Sequence, residues 1–344
     1  MCFLVSPDRD DGPEIFMGRK PVRRTFLTAA FCALTTAGGA LADEHPENVT
    51  IGAASVGGTY YVWATGLASV LTSGLNTNIN VEVTGGPLHN IQLVNGGEMT
   101  LGLSTAAPAY EGFNGLEWAE GQKFENIRAL VPMYPSYFHW WGPISAGVKS
   151  IEDMEGKVVA LGPKGGTPDT YGRRILEYLD VTPRRIVNVG FSDVTGQLRD
   201  GLVDSALNAA GIPHPSVLES ESTGEIDLVG LPRDQAAGFI EQYPYFSTAV
   251  IPAGTYGTLN EDLSTVTLWN FVIGNKDLTE DFVYDVVKTV FDERQAMIET
   301  HRSSENILLE NVDKITIPLH PGAVRYFREQ GVDLPERLIP PEML

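Results

Sequence analysis

Three short segments carry the residue types that hold oxygen atoms: Gly57-Gly58-Thr59, Gly85-Gly86-Pro87 and Gly165-Gly166-Thr167-Pro168. Each follows a run of strand character and opens a stretch of helical periodicity. Glycine admits positive φ and close backbone approach, and a helix start presents unpaired N–H groups with a positive dipole. Each junction can therefore take an anionic or carbonyl oxygen. Pro87 and Pro168 suit the first helical position, where no N–H is needed. A single junction reads equally well as a tight strand-to-helix turn with an ordinary cap. Three copies of one design favour a shared binding site. None is a phosphate loop, which needs a Gly-Lys-Ser/Thr ending, and Gly162-Pro163-Lys164-Gly165-Gly166-Thr167 is no dinucleotide fingerprint, so no cofactor is indicated.

Other chemistry finds less support. The run Tyr137-Phe138-His139-Trp140-Trp141 could wall a pocket, but aromatics alternating in a strand are read here as core. His320 has no second histidine at ligand spacing, and the 6 histidines are scattered, which argues against a metal. There is no G-x-S-x-G elbow and no histidine placed with paired carboxylates, so an enzyme is the lesser reading beside a binding protein.

The elements that must position the junctions alternate between strand and helix patterns. Val49 to Ala54 reads as a strand, and Trp63, Leu67, Val70 and Leu71 share one helical face. Ile79 to Thr84 is a strand, Leu88 to Val94 a helix and Met99 to Ser104 a strand, giving stacked βαβ units with a parallel sheet. A second block opens near Val131, passes a Pro-rich turn at Met133-Tyr134-Pro135, and holds Val158 to Leu161, a helix over 169–179, Arg185 to Phe191 and Val203 to Asn208. Beyond it come a strand over Val266 to Ile273 and a helix carrying Phe282, Val286 and Val290, with Thr279 as its cap.

The chain has 344 residues, enough for two domains, and a formal net charge of −20, which argues against nucleic acid as a partner. Arg19, Lys20, Arg23 and Arg24 precede an apolar stretch from Phe26 to Leu34 and an Ala40-Leu41-Ala42 ending, so residues 1–42 read as a cleaved export signal, with Met17 an alternative start. Arg23-Arg24-Thr25-Phe26-Leu27 is compatible with the general or the twin-arginine route, and either leads to the periplasm. Both cysteines, Cys2 and Cys32, fall in this leader, so the remainder carries no disulfide, thiolate zinc site or cysteine nucleophile.

Ala54-Ser55-Val56-Gly57-Gly58-Thr59-Tyr60-Tyr61 closely resembles the N-terminal signature of the TAXI solute receptors of TRAP (tripartite ATP-independent periplasmic) transporters. Further blocks are similar in the same order: Thr84-Gly85-Gly86 with Asn90, Gly102-Leu103 with Ala109-Tyr110-Glu111, and Phe113-Asn114-Gly115. Later come Gly162-Pro163 with Arg173-Arg174-Ile175-Leu176, Ala209-Ala210-Gly211-Ile212-Pro213, Ile251-Pro252-Ala253-Gly254-Thr255-Tyr256 and Pro318-Leu319-His320-Pro321-Gly322-Ala323 with Tyr326. The resemblance implies a type II periplasmic-binding-protein fold, two α/β lobes with a ligand cleft between them and two crossings. It also implies TRAP membrane permease subunits as partners, and a small organic anion such as glutamate, 2-oxoglutarate or a related carboxylate as ligand.

On matching positions the ligand residues implied are Ser55, Gly58, Thr59, Tyr60, Gly86, Asn90, Ser104 and Thr105, and the third junction adds Gly166 and Thr167. Pro87 stands where the family usually has Ser, the third junction replaces a Gly-Ser-Gly-Thr loop, and Thr100 stands where Asp is common, so the ligand's identity does not carry over. His89 and Lys164 are placed to offer a ligand charge or to be solvated loop side chains. The expected lobes are 43–132 with 252–344, and 133–251, with hinges near Val131 to Pro135 and Val250 to Tyr256. A sensor docking a signalling partner in place of a permease has the same binding chemistry.

Overall fold

The computed structural model describes residues 45–344; the export signal expected over 1–42 and both cysteines lie outside the described residues. The chain opens with β1 (Asn48–Gly52), α1 (Thr59–Leu75), β2 (Asn78–Glu82), α2 (Pro87–Gly96), β3 (Leu101–Thr105) and α3 (Ala106–Asn114). The long β4 (Ile127–Pro143) leads into β5 (Val158–Ala160), α4 (Thr167–Tyr178), β6 (Arg185–Val187), α5 (Val194–Arg199), β7 (Ser205–Ala210) and α6 (Pro215–Thr223). β8 (Ile226–Val229), α7 (Arg233–Gln242), β9 (Ser247–Ile251) and the long β10 (Leu263–Asn275) follow. The last helices are α8 (Glu280–Asp292), α9 (Arg294–Thr300) and α10 (Pro321–Glu329).

The strands form one curled sheet in the order β2-β1-β3-β10-β4-β7-β5-β6, with β8 added on β4 and β9 on β10. β1, β2 and β3 run parallel, as do β5, β6 and β7, which is the βαβ pattern expected of each lobe. The two groups meet only through β4 and β10, which pair antiparallel with each other. Along β10 the partner changes from β9, at Leu263 to Thr267, to β3, at Asn270 to Gly274. Beyond Tyr137, β4 passes from β10 to β7 and β8.

Two expectations about the chain path are corrected. Met133-Tyr134-Pro135 is no turn, because it lies inside β4, whose side chains are buried almost throughout, as a central strand covered on both faces requires. Pro132 and Pro135 are accommodated at a register shift, where no ladder N–H is needed. The segment 252–262 does not cross between lobes either. It is the loop of a β9–β10 hairpin, and β10 itself makes the return.

Helix faces follow the sequence pattern. Phe282, Val283, Val286, Val287 and Val290 bury one side of α8, and Thr279 caps it by accepting from the Phe282 N–H at 3.3 Å. The aromatic run of β4 is core, with Phe138, His139, Trp140 and Trp141 essentially inaccessible. His320 caps α10: its Nδ1 accepts from Gly322 N at 3.2 Å, and its Nε2 donates to Leu278 O at 3.1 Å. Among the described residues no cluster could hold a metal.

His139 packs 5.7 Å from His214, ring centre to ring centre, and edge-on to Tyr256. Burial pushes the His139 imidazole down to about 4, and it lowers His214 as well, with the neighbouring imidazoles adding to the effect. Both rings are neutral in the fold. Below pH 6.5 the unfolded chain takes up protons that the folded chain refuses, so stability present at pH 7 is lost as pH falls toward 4. At about 1.4 kcal/mol per pKa unit, His139 alone should account for about 3 kcal/mol of that loss. Urea midpoints at pH 7 and pH 4.5 should therefore converge in His139→Leu relative to the parent protein; an unchanged slope would show that this ring does not set the acid limit.

Candidate functional site

Where β4 and β10 exchange partners, a cavity of about 40 Å³ lies between the two groups of strands and helices. Its floor is a bonded set on the crossing strands: Asn270 Nδ2 donates to Tyr134 O at 2.6 Å and to Ser136 Oγ at 2.8 Å, while Asn270 Oδ1 accepts from the Tyr60 hydroxyl at 2.6 Å. Thus α1, β4 and β10 are tied together at one point. Because Ser136 Oγ accepts there, its own hydrogen is left to donate elsewhere.

Four helices begin at this cavity. Thr59 and Tyr60 bring the start of α1, Gly86 and Pro87 that of α2, Thr105 that of α3, and Gly166 and Thr167 that of α4. None of the four has a side-chain cap, and the first turns of α1, α2 and α3 carry no acidic residue. Their leading N–H groups and dipoles therefore remain for an oxygen ligand. Gly86 sits at φ 95°, where a side chain would be strained, and turns the backbone into α2.

Two hydroxyls on the lining have no hydrogen-bond partner in the protein: Thr59 Oγ1, on a residue 3% exposed, and the Tyr134 OH, on a residue 0% exposed. Leaving such a group unpaired in the interior is unfavourable by about 1–3 kcal/mol, so each invites an acceptor. Burial raises the pKa of both Tyr60 and Tyr134, which keeps the phenols protonated. Thr105 and Thr167 face each other across the cleft, their hydroxyl oxygens 3.5 Å apart.

Of the ten residues expected from the sequence, Ser55, Thr59, Tyr60, Gly86, Thr105, Gly166 and Thr167 line this cavity, and Gly58, Asn90 and Ser104 do not. Asn90 is occupied elsewhere: its Nδ2 reaches Gly52 O, Ala53 O and Leu103 O at 2.8–3.0 Å, and its Oδ1 accepts from Thr84 Oγ1 at 2.7 Å, so it fastens the ends of β1 and β3 together. Gly58 provides clearance, since a Cβ there would stand 2.6 Å from the Phe191 ring. Ser104 is fully buried inside β3. Tyr134, Ser136, Asn270 and Phe191 were not anticipated. Tyr134 and Ser136 flank Pro135, the residue that suggested a turn, and only the β4–β10 register brings Asn270 to them.

Outside the cavity, the two sides of the cleft are joined through Arg174 of α4, which pairs with Glu111 and, at 3.5 Å, with Glu117. Glu111 of α3 is 0% exposed and accepts from Tyr171 OH at 3.0 Å, from Arg174 Nη1 at 2.5 Å and Nη2 at 3.3 Å, and from the Tyr245 hydroxyl. Burial works against the charge of Arg174, but hydrogen bonding and attraction to Glu111 outweigh it and raise its pKa. Burial raises both phenols, followed by the Glu111 charge for Tyr171 and by the hydrogen bond to Glu111 for Tyr245, so they donate. Arg174 also lies over the Tyr171 ring at 4.8 Å.

Solved structures share this architecture at low sequence identity. The periplasmic binding protein BugD matches with a TM-score of 0.51 and 16% identity over 84% of this chain and 99% of its own. A structure described as a periplasmic transporter matches with a TM-score of 0.52 and 13% identity over 84% of this chain and 98% of its own. The fold is thus the two-lobed type II periplasmic-binding-protein fold, with the cavity in the cleft. The pattern of the NMT1-like family matches residues 51–331, from β1 through α10, and so includes every element that builds the cleft. The chain belongs to the NMT1-like family.

Proposed function

We infer that the protein is a periplasmic solute-binding protein, which captures a small organic anion, a carboxylate, by closing its lobes and delivers it to a membrane permease. The observation that carries this reading is the convergence of four uncapped helix starts, from both sides of the cleft, on one cavity with two buried, unpartnered hydroxyls. Backbone N–H groups, hydroxyls and an amide hold oxygen atoms without performing chemistry on them, which supports binding over catalysis. The names of the two structural neighbours support a periplasmic setting, and the TAXI resemblance adds an ion-driven TRAP permease as the partner.

Closure of this kind bends the crossing strands, and we assign the hinges to Tyr134 to Tyr137 in β4 and Thr267 to Asn270 in β10, where each strand exchanges partners. The lobes proposed are then 48–135 with 268–344, and 136–267. In the closed form the Glu111 and Arg174 contact is made, and in an open form both groups return to water.

Small carboxylates should stabilise the protein by about 2.7 kcal/mol at one hundred times Kd, read as a rise in melting temperature. Thr59→Val tests the site. Gly58, not Thr59, is the N-cap of α1, and Thr59 Oγ1 makes no capping bond, so stability without ligand should hardly change. Affinity should fall by about 1–3 kcal/mol because a ligand oxygen loses its donor. Titration calorimetry showing wild-type affinity would remove Thr59 from the site. For the closing contact, Glu111→Gln should weaken carboxylate binding by about 1.5–3 kcal/mol, the worth of a hydrogen bond to a charged group. Small-angle scattering should show the same protein more extended at saturating ligand; a scattering profile identical to wild type would refute a role in closure.

A further inference from the structure

We propose that the cavity selects small monocarboxylates whose other atoms carry no charge, and that it rejects dicarboxylates and amino acids. This rests on the anion-binding reading above and narrows its ligand class.

Among the described residues, no Asp, Glu, Lys, Arg or His lines the cavity. The two basic residues beside the junctions in sequence do not line it either: His89 is exposed and its Nδ1 accepts from Gly85 N at 3.1 Å, and Lys164 is exposed. Asp169, in the first turn of α4, is held by Gly165 N at 3.0 Å and by Arg173 at 2.8 Å. One carboxylate can be met by neutral donors, namely the helix starts with the Thr59, Tyr134 and Ser136 hydroxyls. A second carboxylate in the same space would be desolvated with no cation beside it. An α-ammonium would be desolvated with no anion beside it, and the amide oxygen of Asn270 is already taken by Tyr60. An unpaired buried charge is far more costly than an unpaired hydroxyl, so either group should lower affinity by orders of magnitude.

The rest of the lining suits an uncharged tail. Phe191, Ala54, Ala209 and Ala210, with the rings of Pro163 and Pro168, form the apolar part of the wall.

The test is calorimetric titration of the purified protein, at fixed ionic strength, with matched sets: propionate and pyruvate, then succinate and 2-oxoglutarate, then alanine and glutamate, and propionamide as the uncharged control. Propionate or pyruvate should bind at least about tenfold more tightly than every dicarboxylate and amino acid in the set. A dicarboxylate or amino acid binding as tightly would overturn this inference while leaving the anion reading in place. Propionamide binding as well as propionate, or no carboxylate binding at all, would overturn both. Tyr134→Phe supplies an independent arm. It should weaken the best monocarboxylate about tenfold or more at an unchanged urea midpoint, since the lost hydroxyl has no partner in the protein. Unaltered affinity in a folded Tyr134→Phe protein would also overturn the assignment.

Discussion

The antiparallel pairing of β4 with β10 is the constraint on which the rest of the molecule depends. Each group of parallel strands carries its own helices, and nothing else in the sheet joins one group to the other. Both strands are long, 17 and 13 residues, because each must serve as an edge partner to two different groups. Their ladder is a contact between residues more than a hundred positions apart, so the cleft depends on pairing that no local stretch of the chain specifies. The point of exchange is also where the Asn270 amide spans the strands and the Tyr60 hydroxyl anchors α1, so the floor of the cavity and the joint between lobes are one structure.

Around that floor the chain carries several local costs side by side. α8, α6 and α10 each carry a side-chain cap, from Thr279, His214 and His320. The four helices that begin at the cavity have none, and two hydroxyls beside them are buried without partners. A sequence optimised only for stability would place Ser or Asp at those starts. Glycine at three of the four N-cap positions leaves the N–H groups uncovered and lets the opposite lobe approach, as the ring of Phe191 does at Gly58.

What could be read from the sequence was local. The Gly-Gly junctions, the Thr279 cap and the apolar face of α8 are set by neighbours within a turn of helix, and the structure places them as the residue spacing implies. Asn90 does not line the cavity, and its type, an amide near a glycine junction, is the same for a ligand contact and for a strand fastener; here its amide donates to the carbonyls of Gly52, Ala53 and Leu103. Tyr134, Ser136 and Asn270 were invisible for the complementary reason. They reach the cavity through strand register, and Pro135 between the first two imitates a turn. The Pro- and Gly-bearing segment after Ile251 likewise has the composition of a linker but closes a hairpin, while β10 is a long, largely buried strand that pairs with β9 and then with β3.

Charge is distributed in a manner that separates closing from recognition. The buried Glu111 and Arg174 pair joins the lobes away from the cavity, and the cavity wall itself carries no ionised side chain among the described residues. A buried pair of this kind contributes little net stability, because desolvating both ions offsets their attraction. It does hold α3 against α4, since Glu111 accepts from Tyr171 and Arg174 of α4 and from Tyr245 together. The chain as a whole carries a net charge of −20, so its long-range field does not draw an anion in. Capture must then come from short-range donors that act only once the ligand is inside, and helix termini have that character because their influence fades within a turn. Recognition by dipoles, with the Glu111 and Arg174 pair kept to the lobe contact, allows the ligand's single charge to be satisfied without fixing the lobes permanently shut.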